Sequence, residues 1–232
     1  MDDIVESQIG YYRARAEEYD EWWFRTNRYD QGEEKNAQWF REVAEIEDVL
    51  AAAPVHGKAL EIACGTGLWT QFLAPRVDSL LALDAADEPM AIAKRRVSAP
   101  HVTYSKADIF GWRPPRNERY DFIFFGFWIS HIPRKQWPAF WALLKDALAP
   151  GGSIFFIDNQ GYVFRGISTF DRTQSGADVV ETRVLNDGSH YKIVKNFFVP
   201  DELTAELAAL GWKGWVRQSE QYFVYGSFTH GL

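Results

Sequence analysis

A carboxylate, Glu61, sits near the end of the apolar run Ala59-Leu-Glu-Ile62, and the glycines Gly65 and Gly67 follow it directly. A second carboxylate, Asp84, closes the apolar run Leu80-Leu-Ala-Leu83, about twenty residues beyond those glycines. The spacing suits a nucleotide-like ligand. Glycines without Cβ atoms let the chain turn sharply and let a ligand lie against the backbone. Glu61 can meet an ammonium group, and Asp84 can accept both hydroxyls of a ribose. A dinucleotide fingerprint would place a third glycine where Thr70 stands, and a phosphate loop would need Gly-Lys-Ser/Thr. Neither occurs. Asp84 capping the next helix, and the glycines forming only a packing turn, are the plainer alternatives.

The elements that would position these groups alternate. Lys58–Ile62 reads as a buried strand leading to a helix near Leu68–Leu73, and Ser79–Leu83 as a strand leading to a helix near Glu88–Val97. His101–Lys106 and Tyr120–Phe125 follow, then a helix over Arg134–Leu148 and a strand over Ser153–Ile157. This order predicts an α/β fold with a parallel, doubly wound sheet. Two helices precede it. One runs from about Val5 to Tyr19; the other, Glu33 to Ala53, carries Trp39, Phe40, Val43, Ile46 and Leu50 on its apolar side. After Asp158 the pattern becomes a hairpin, Val179–Leu185 and Tyr191–Phe197 about Asp187-Gly188, then a helix over Pro200–Leu210 and a strand-like stretch, Trp215–Phe228. A single domain over 1–232 is expected, with a helical cap (1–53), a core (57–158) and a hairpin with the last sheet elements (159–232).

Bulk properties exclude several classes. A net charge of -7 over 232 residues offers no basic track for nucleic acid or an anionic membrane. No apolar run is long enough to span a bilayer, and the acidic start does not read as a signal peptide. The one cysteine, Cys64, excludes an internal disulfide and a multi-cysteine metal site. A cytoplasmic protein, monomer or homodimer, acting on a small molecule is the expectation. Ten tryptophans exceed what a core of this size usually needs.

Five motifs now stand in order: Glu61-Ile-Ala-Cys-Gly-Thr-Gly67, Asp84-Ala-Ala-Asp-Glu-Pro-Met90, Lys106-Ala-Asp-Ile109, Tyr120-Asp-Phe-Ile-Phe-Phe125 and Leu148-Ala-Pro-Gly-Gly-Ser-Ile-Phe-Phe-Ile-Asp158. Together they resemble the class I S-adenosylmethionine (SAM)-dependent methyltransferases, whose core is a Rossmann-like sheet. The flanks Ile4–Asp20, Phe127-Trp-Ile-Ser-His-Ile-Pro133, Arg183–Gly188, Ile193–Lys195 and Leu207–Trp212 are similar to bacterial small-molecule methyltransferases, phosphonate O-methyltransferases of dehydrophos biosynthesis among them. The likeness spans most of the chain, leaving out Phe24–Gln38 and Asn159–Asp178.

The resemblance implies SAM as cofactor, S-adenosylhomocysteine (SAH) as product, and a set of roles. Ala63 replaces the first glycine of the turn. Met90 would pack on the adenine, Asp108 accept its amino group, Ile109 lie against the ring, and Phe125 line the cofactor site. Tyr11 would touch the methionine end, and Trp22, Trp23 and Tyr29 would form an aromatic lid favourable to a sulfonium. The same rings could equally glue the helices to the sheet. Arg183 and Lys195 correspond to basic hairpin positions and could hold a phosphonate, phosphate or carboxylate, or lie on a solvated face. Arg165 is a weaker candidate of the same kind. His131 could act as a general base or be structural. Asp158-Asn159 resembles the pair in magnesium-dependent catechol-type enzymes, but Phe125-Gly126 stands where those need an acid, so no metal is expected. The expected reaction is methyl transfer to a small-molecule oxygen; an N- or C-methyltransferase of a natural-product intermediate, or a non-catalytic SAM-binding protein, remains open.

Overall fold

The computed structural model describes residues 3–116, 118–161 and 177–231. Five strands form the parallel part of the sheet: β1 (Lys58–Ile62), β2 (Ser79–Asp84), β3 (Val102–Lys106), β4 (Tyr120–Gly126) and β5 (Leu148–Asn159). After a separate two-stranded hairpin, β6 (Val180–Val184) with β7 (His190–Val194), come β8 (Trp212–Gln218) and β9 (Phe223–His230). The stretch expected as one strand-like run, Trp215–Phe228, is therefore two antiparallel strands. The seven-stranded sheet has the order β3-β2-β1-β4-β5-β9-β8, with β9 antiparallel to β5 and to β8. The sheet is mixed α/β and mostly parallel. β1 sends its crossover to β2 on one side while β4 lies on its other side, so a topological reversal falls between β1 and β4.

The helices are α1 (Asp3–Ala14), α2 (Tyr19–Trp23), α3 (Glu33–Ala51), α4 (Thr70–Leu73), α5 (Asp87–Arg96), α6 (Trp137–Ala147) and α7 (Pro200–Ala209). Strand alternation sends successive side chains to opposite layers. Leu60, Ile62, Ile123 and Phe125 pack with Phe140 and Trp141 of α6 and Leu203 and Leu207 of α7. Ala59, Phe122 and Phe124 pack on the other side with Trp22, Trp23, Trp39 and Trp69. Much of the tryptophan surplus is thus spent attaching the amino-terminal cap: Trp22 meets Phe127 at 4.8 Å and Trp39 meets Phe223 at 4.6 Å between ring centroids. Such pairs add about 0.5–1.5 kcal/mol each beyond the area they bury. Buried Glu42 completes the attachment, accepting the backbone N–H groups of Gln221 and Tyr222 at 3.1 and 2.8 Å.

Two expectations need correction. The first helix does not continue to Tyr19. It ends at Ala14, and turns at Arg15–Glu18 redirect the chain before α2. Phe40, placed on the apolar side of α3, is 43% exposed, because the buried stripe follows Trp39, Val43, Ile46 and Leu50 at helical spacing and Phe40 falls beside it.

Candidate active site

Two hollows lie over the carboxyl ends of β1, β2 and β4, and a third lies beside them under the β6–β7 hairpin; the three share Tyr19 and Phe127 in their linings. The two residues where β1 and β4 leave the sheet, Ala63 (φ 55°) and Phe127 (φ 54°), are in the left-handed backbone region, unusual for side chains with a Cβ. Both line the hollows, and strain of this kind gathers at functional sites.

The first cavity has an empty volume of about 850 Å³. Its floor includes Ile62, Ala63, Gly65, Asp84, Asp108 and Ile109, and α1 roofs it with Val5, Gln8, Ile9 and Tyr12. Asp84 accepts the Gly65 N–H at 2.8 Å and the Ala86 N–H at 2.9 Å, so the glycine turn and the acid brace one another. Gly65 (φ 54°) has nothing within 4 Å of a built Cβ except the Ala63 carbonyl, leaving its ligand side open. A smaller recess of about 310 Å³ continues the cavity and is lined by Glu61, Ala63, Cys64 and Trp69. Glu61 is 2% exposed and accepts the Thr70 hydroxyl at 2.6 Å. Burial pushes its carboxyl up to about 8, the Thr70 hydrogen bond opposing. Neither Glu61 nor Asp84 has a cationic partner among the described residues.

This donor set fits SAM: a buried carboxylate for the ammonium, a second for the ribose diol, and an apolar slot with Asp108 and Ile109 beyond. Other expected contacts are placed differently. Gly67 does not face the cavity; a Cβ there would meet the Ala93 Cα at 2.9 Å, so its role is close packing against α5. Met90 is buried with Cys64, Ala82 and Tyr104, and Pro89 of the same helix reaches the cavity instead. Phe125 packs in the α6 layer against Phe140 and Trp141, because strand alternation turns it there, and Gly126 and Phe127 face the cleft. Gly126 must be small, since a Cβ would stand 2.9 Å from the Trp69 ring.

The third hollow, about 1110 Å³, is bounded by α1, α2 and the β6–β7 hairpin. Tyr11, Trp22, Tyr29, His131, Arg183 and Lys195 all line it, and so do Tyr12, Arg15, Tyr19 and Arg28. Tyr11 thus belongs to this cleft rather than to the first cavity, and Trp23 lies behind it against Trp39 and Trp69. Tyr19 and Phe127 border all three hollows and mark their junction. Asp20 pins α2 beside them, accepting the Thr66 hydroxyl at 2.7 Å and pairing with Arg96.

Lys195 does not present a free charge. Its Nζ lies 3.0 Å from Asp158 and 2.7 Å from the Ser130 hydroxyl, and both ions are buried. Burial is the largest influence on the Asp158 carboxyl and would raise it, yet the Lys195 charge, the neighbouring His131 and the hydrogen bonds from Ser130 and Lys195 together hold the group below its usual range. With Ser130 and Asn159 N–H groups also donating to it, Asp158 is committed inside the protein. Arg183 pairs with Glu181 at 2.8 Å and Arg28 with Glu18 at 2.9 Å. Arg165 lies outside the described residues, and among the described residues no three His, Cys, Asp or Glu side chains gather to hold a metal ion.

His131 is buried, with Nδ1 2.6 Å from the Val194 carbonyl and Nε2 2.6 Å from the Tyr12 hydroxyl. A carbonyl only accepts, so Nδ1 carries the proton and Nε2 accepts from Tyr12. Burial, reinforced by the nearby Lys195 charge, lowers the ring to about 3. Its two hydrogen bonds tie α1 to the hairpin, and its surroundings favour the neutral ring. Tyr12, Arg15 and Tyr19 escaped the sequence reading, although Tyr11, Arg15 and Tyr19 recur every four residues, the spacing of one helix face.

A doubly wound sheet with paired acids at the ends of its first two strands defines the class, and the chain belongs to the class I SAM-dependent methyltransferases. Residues 59–152 match the family described as methyltransferase domain. Among solved structures the chain is similar to DhpI: 34% identity to a DhpI-SAM-HEP complex, covering 99% of each chain with a TM-score of 0.81, and 33% identity to a DhpI-SAH complex, covering 98% and 97%, with a TM-score of 0.79. The ubiquinone biosynthesis O-methyltransferase of Shewanella sp. (strain ANA-3) is 27% identical over 64% of this chain, and the trans-aconitate 2-methyltransferase of Sinorhizobium fredii is 30% identical over 46%. The chain spans 60% and 41% of the lengths of those two curated relatives.

Proposed function

We propose that this enzyme transfers the SAM methyl group to an oxygen of a small acidic molecule, a phosphonate, phosphate or carboxylate. The observation that carries this reading is the polarity of the cleft beside the cofactor cavity: among the described residues its lining presents Arg15, Arg28, Arg183 and Lys195 and no carboxylate, the acids that pair with the last three lie outside the lining, and Arg15 has no such acid. A cationic amine acceptor would find no carboxylate among those lining residues and would meet the unpaired Arg15. The names of two relatives agree in part, one being a SAM-HEP complex of DhpI and the other carrying trans-aconitate in its name.

Bound SAM supplies a methyl group already activated on a sulfonium. The protein's share is alignment and a dry site. In this reading Glu61 holds the amine, Asp84 the ribose, and Asp108 and Ile109 the adenine end. Tyr19 and Phe127 close the junction where acceptor oxygen and methyl group meet. Their rings attract a sulfonium and exclude water, as does Trp22 in the cap. An anionic oxygen needs no proton removed, which agrees with a His131 ring that is neutral and poorly basic. We read the chain as one methyltransferase domain, 1–232, with its single cysteine, Cys64, suited to the reducing cytoplasm.

Two outcomes test this. Incubated with SAM and a panel of small acids, the protein accumulates SAH with at least one phosphonate, phosphate or carboxylate, and its kcat shows no inflection between about pH 6 and 8 from His131. SAH formation only with phenols or amines would overturn the acidic acceptor; no SAH with any acceptor, despite tight SAM binding, would make the chain a SAM-binding protein.

The second outcome concerns Glu61. The unliganded carboxyl, at about 8, holds its proton at neutral pH, whereas pairing with an ammonium requires the ionised form. SAH binding at pH 7 therefore releases close to one proton, roughly the fraction protonated one unit below the pKa. Affinity weakens as pH falls, by up to about tenfold per unit below pH 8. Calorimetry in buffers of different ionisation enthalpy reads this directly, and identical heats would contradict it.

A further inference from the structure

The four cations of the acceptor cleft are not equivalent. Arg28, Arg183 and Lys195 each have a carboxylate within 2.8–3.0 Å, from Glu18, Glu181 and Asp158. Arg15 has none among the described residues. It is 9% exposed, and among the described residues its Nε has no hydrogen-bond partner and the guanidinium's one hydrogen bond is a long 3.5 Å contact to the Tyr29 hydroxyl. Around the guanidinium stand the rings of Tyr19, Tyr11, Trp22 and Tyr29, with centroids 5.0, 5.6, 5.8 and 5.8 Å away. Aromatic faces stabilise a cation, but they do not satisfy five N–H donors or replace a lost hydration shell. A buried guanidinium lacking an acid is costly unless something outside the chain completes it.

The fold puts that incomplete group in a specific place. The break between α1 and α2 turns Arg15 into the cleft. Tyr19, the nearest of its rings, borders all three hollows, so the guanidinium stands beside the junction.

We propose that Arg15 is the primary anchor for the anionic head of the acceptor, while Arg183, Lys195 and Arg28 are already neutralised and shape the cleft around it. The proposal rests on the acidic-acceptor reading and sharpens it: the ligand is a small oxyanion whose oxygens engage one guanidinium at the cofactor junction. Arg suits this task because its planar donor fork binds two oxygens of a carboxylate, phosphate or phosphonate at once.

The test is titration of methylphosphonate into the full chain loaded with SAH, using wild type, Arg15→Met, Arg15→Lys and Arg183→Met, with SAH affinity measured separately. Arg15→Met is expected to weaken methylphosphonate by about thirtyfold or more, the scale for truncating one side of a desolvated charge pair. Arg183→Met is expected to cost less than Arg15→Met, and SAH affinity to stay within about threefold of wild type in each, well inside the factor of ten that 1.4 kcal/mol represents. Melting supplies a readout that a structural strut would move the other way. Without anion, Arg15→Met melts no lower than wild type, because an uncompensated buried charge is gone, and added methylphosphonate raises the melting temperature of wild type and of Arg183→Met more than that of Arg15→Met. If Arg15→Met is insoluble, Arg15→Lys still decides, since it keeps the charge, loses the fork and should bind methylphosphonate more weakly than wild type. Methylphosphonate affinity unchanged in Arg15→Met, or in Arg15→Lys where that variant decides, overturns the anchor and leaves the acidic-acceptor reading standing. A wild type that binds SAH but neither methylphosphonate nor any other small acid overturns both.

Discussion

Replacing Asp84 with asparagine lowers the affinity for SAH by at least about a hundredfold. Two hydrogen bonds from ribose hydroxyls to a charged carboxylate are worth about 1.5–3 kcal/mol each, and the neutral amide returns only part of this. The substitution also disturbs the turn. The Gly65 and Ala86 N–H groups both donate to this carboxylate, and an amide NH2 must turn one donor toward another. Calorimetric titration with SAH checks the affinity, and the melting temperature without ligand separates a ligand contact from a folding defect. If Asp84 only caps α5, affinity and stability fall together by a small amount; the ribose role requires a large loss of affinity with a melting shift of a few degrees.

The second large effect is on stability. Lys195→Met leaves Asp158, which is 0% exposed, without its ammonium. Removing one member of a buried ion pair typically costs about 3–5 kcal/mol. For a chain of this size that corresponds to a melting temperature lower by about 6–20 °C. Adding Asp158→Asn should restore part of the loss, because the orphaned charge goes, but not all of it: the Ser130 and Asn159 N–H groups donate to different carboxylate oxygens, and the amide NH2 must face one of them. Thermal unfolding of both variants decides it. A Lys195→Met protein as stable as wild type would return Lys195 to the acceptor as a free charge.

The two residues show where sequence reading ends. Asp84 was legible because the role proposed for it depends on local order: an apolar strand, an acid at its end and a glycine turn before it. The same regularity exposed the alternation of β1 to β5 and the place of Glu61 in β1, whereas Asp108 and Ile109, which line the first cavity, came from the resemblance to the methyltransferase motifs. Lys195 was legible as a basic residue on a hairpin, but its pairing with Asp158 joins residues 37 apart through tertiary packing that no periodicity encodes. Phe125 and Met90 sit at the expected places in their motifs, yet the side-chain direction is set by strand alternation and by how α5 rolls on β2. Gly67 was correctly required to be glycine, for packing against Ala93 rather than for a ligand. Arg15 was hidden by the break after Ala14. Helical spacing places it on one face with Tyr11 and Tyr19, but Trp22 and Tyr29 join it through the path of the chain after the break.

A crystal structure of the chain with SAH tests the central claim most directly. The ligand amine is expected within hydrogen-bond distance of Glu61, the ribose hydroxyls on Asp84, and the sulfur at the junction of Tyr19 and Phe127, facing the basic cleft. A ligand bound elsewhere, or a sulfur turned away from that cleft with either carboxylate left empty, would contradict it.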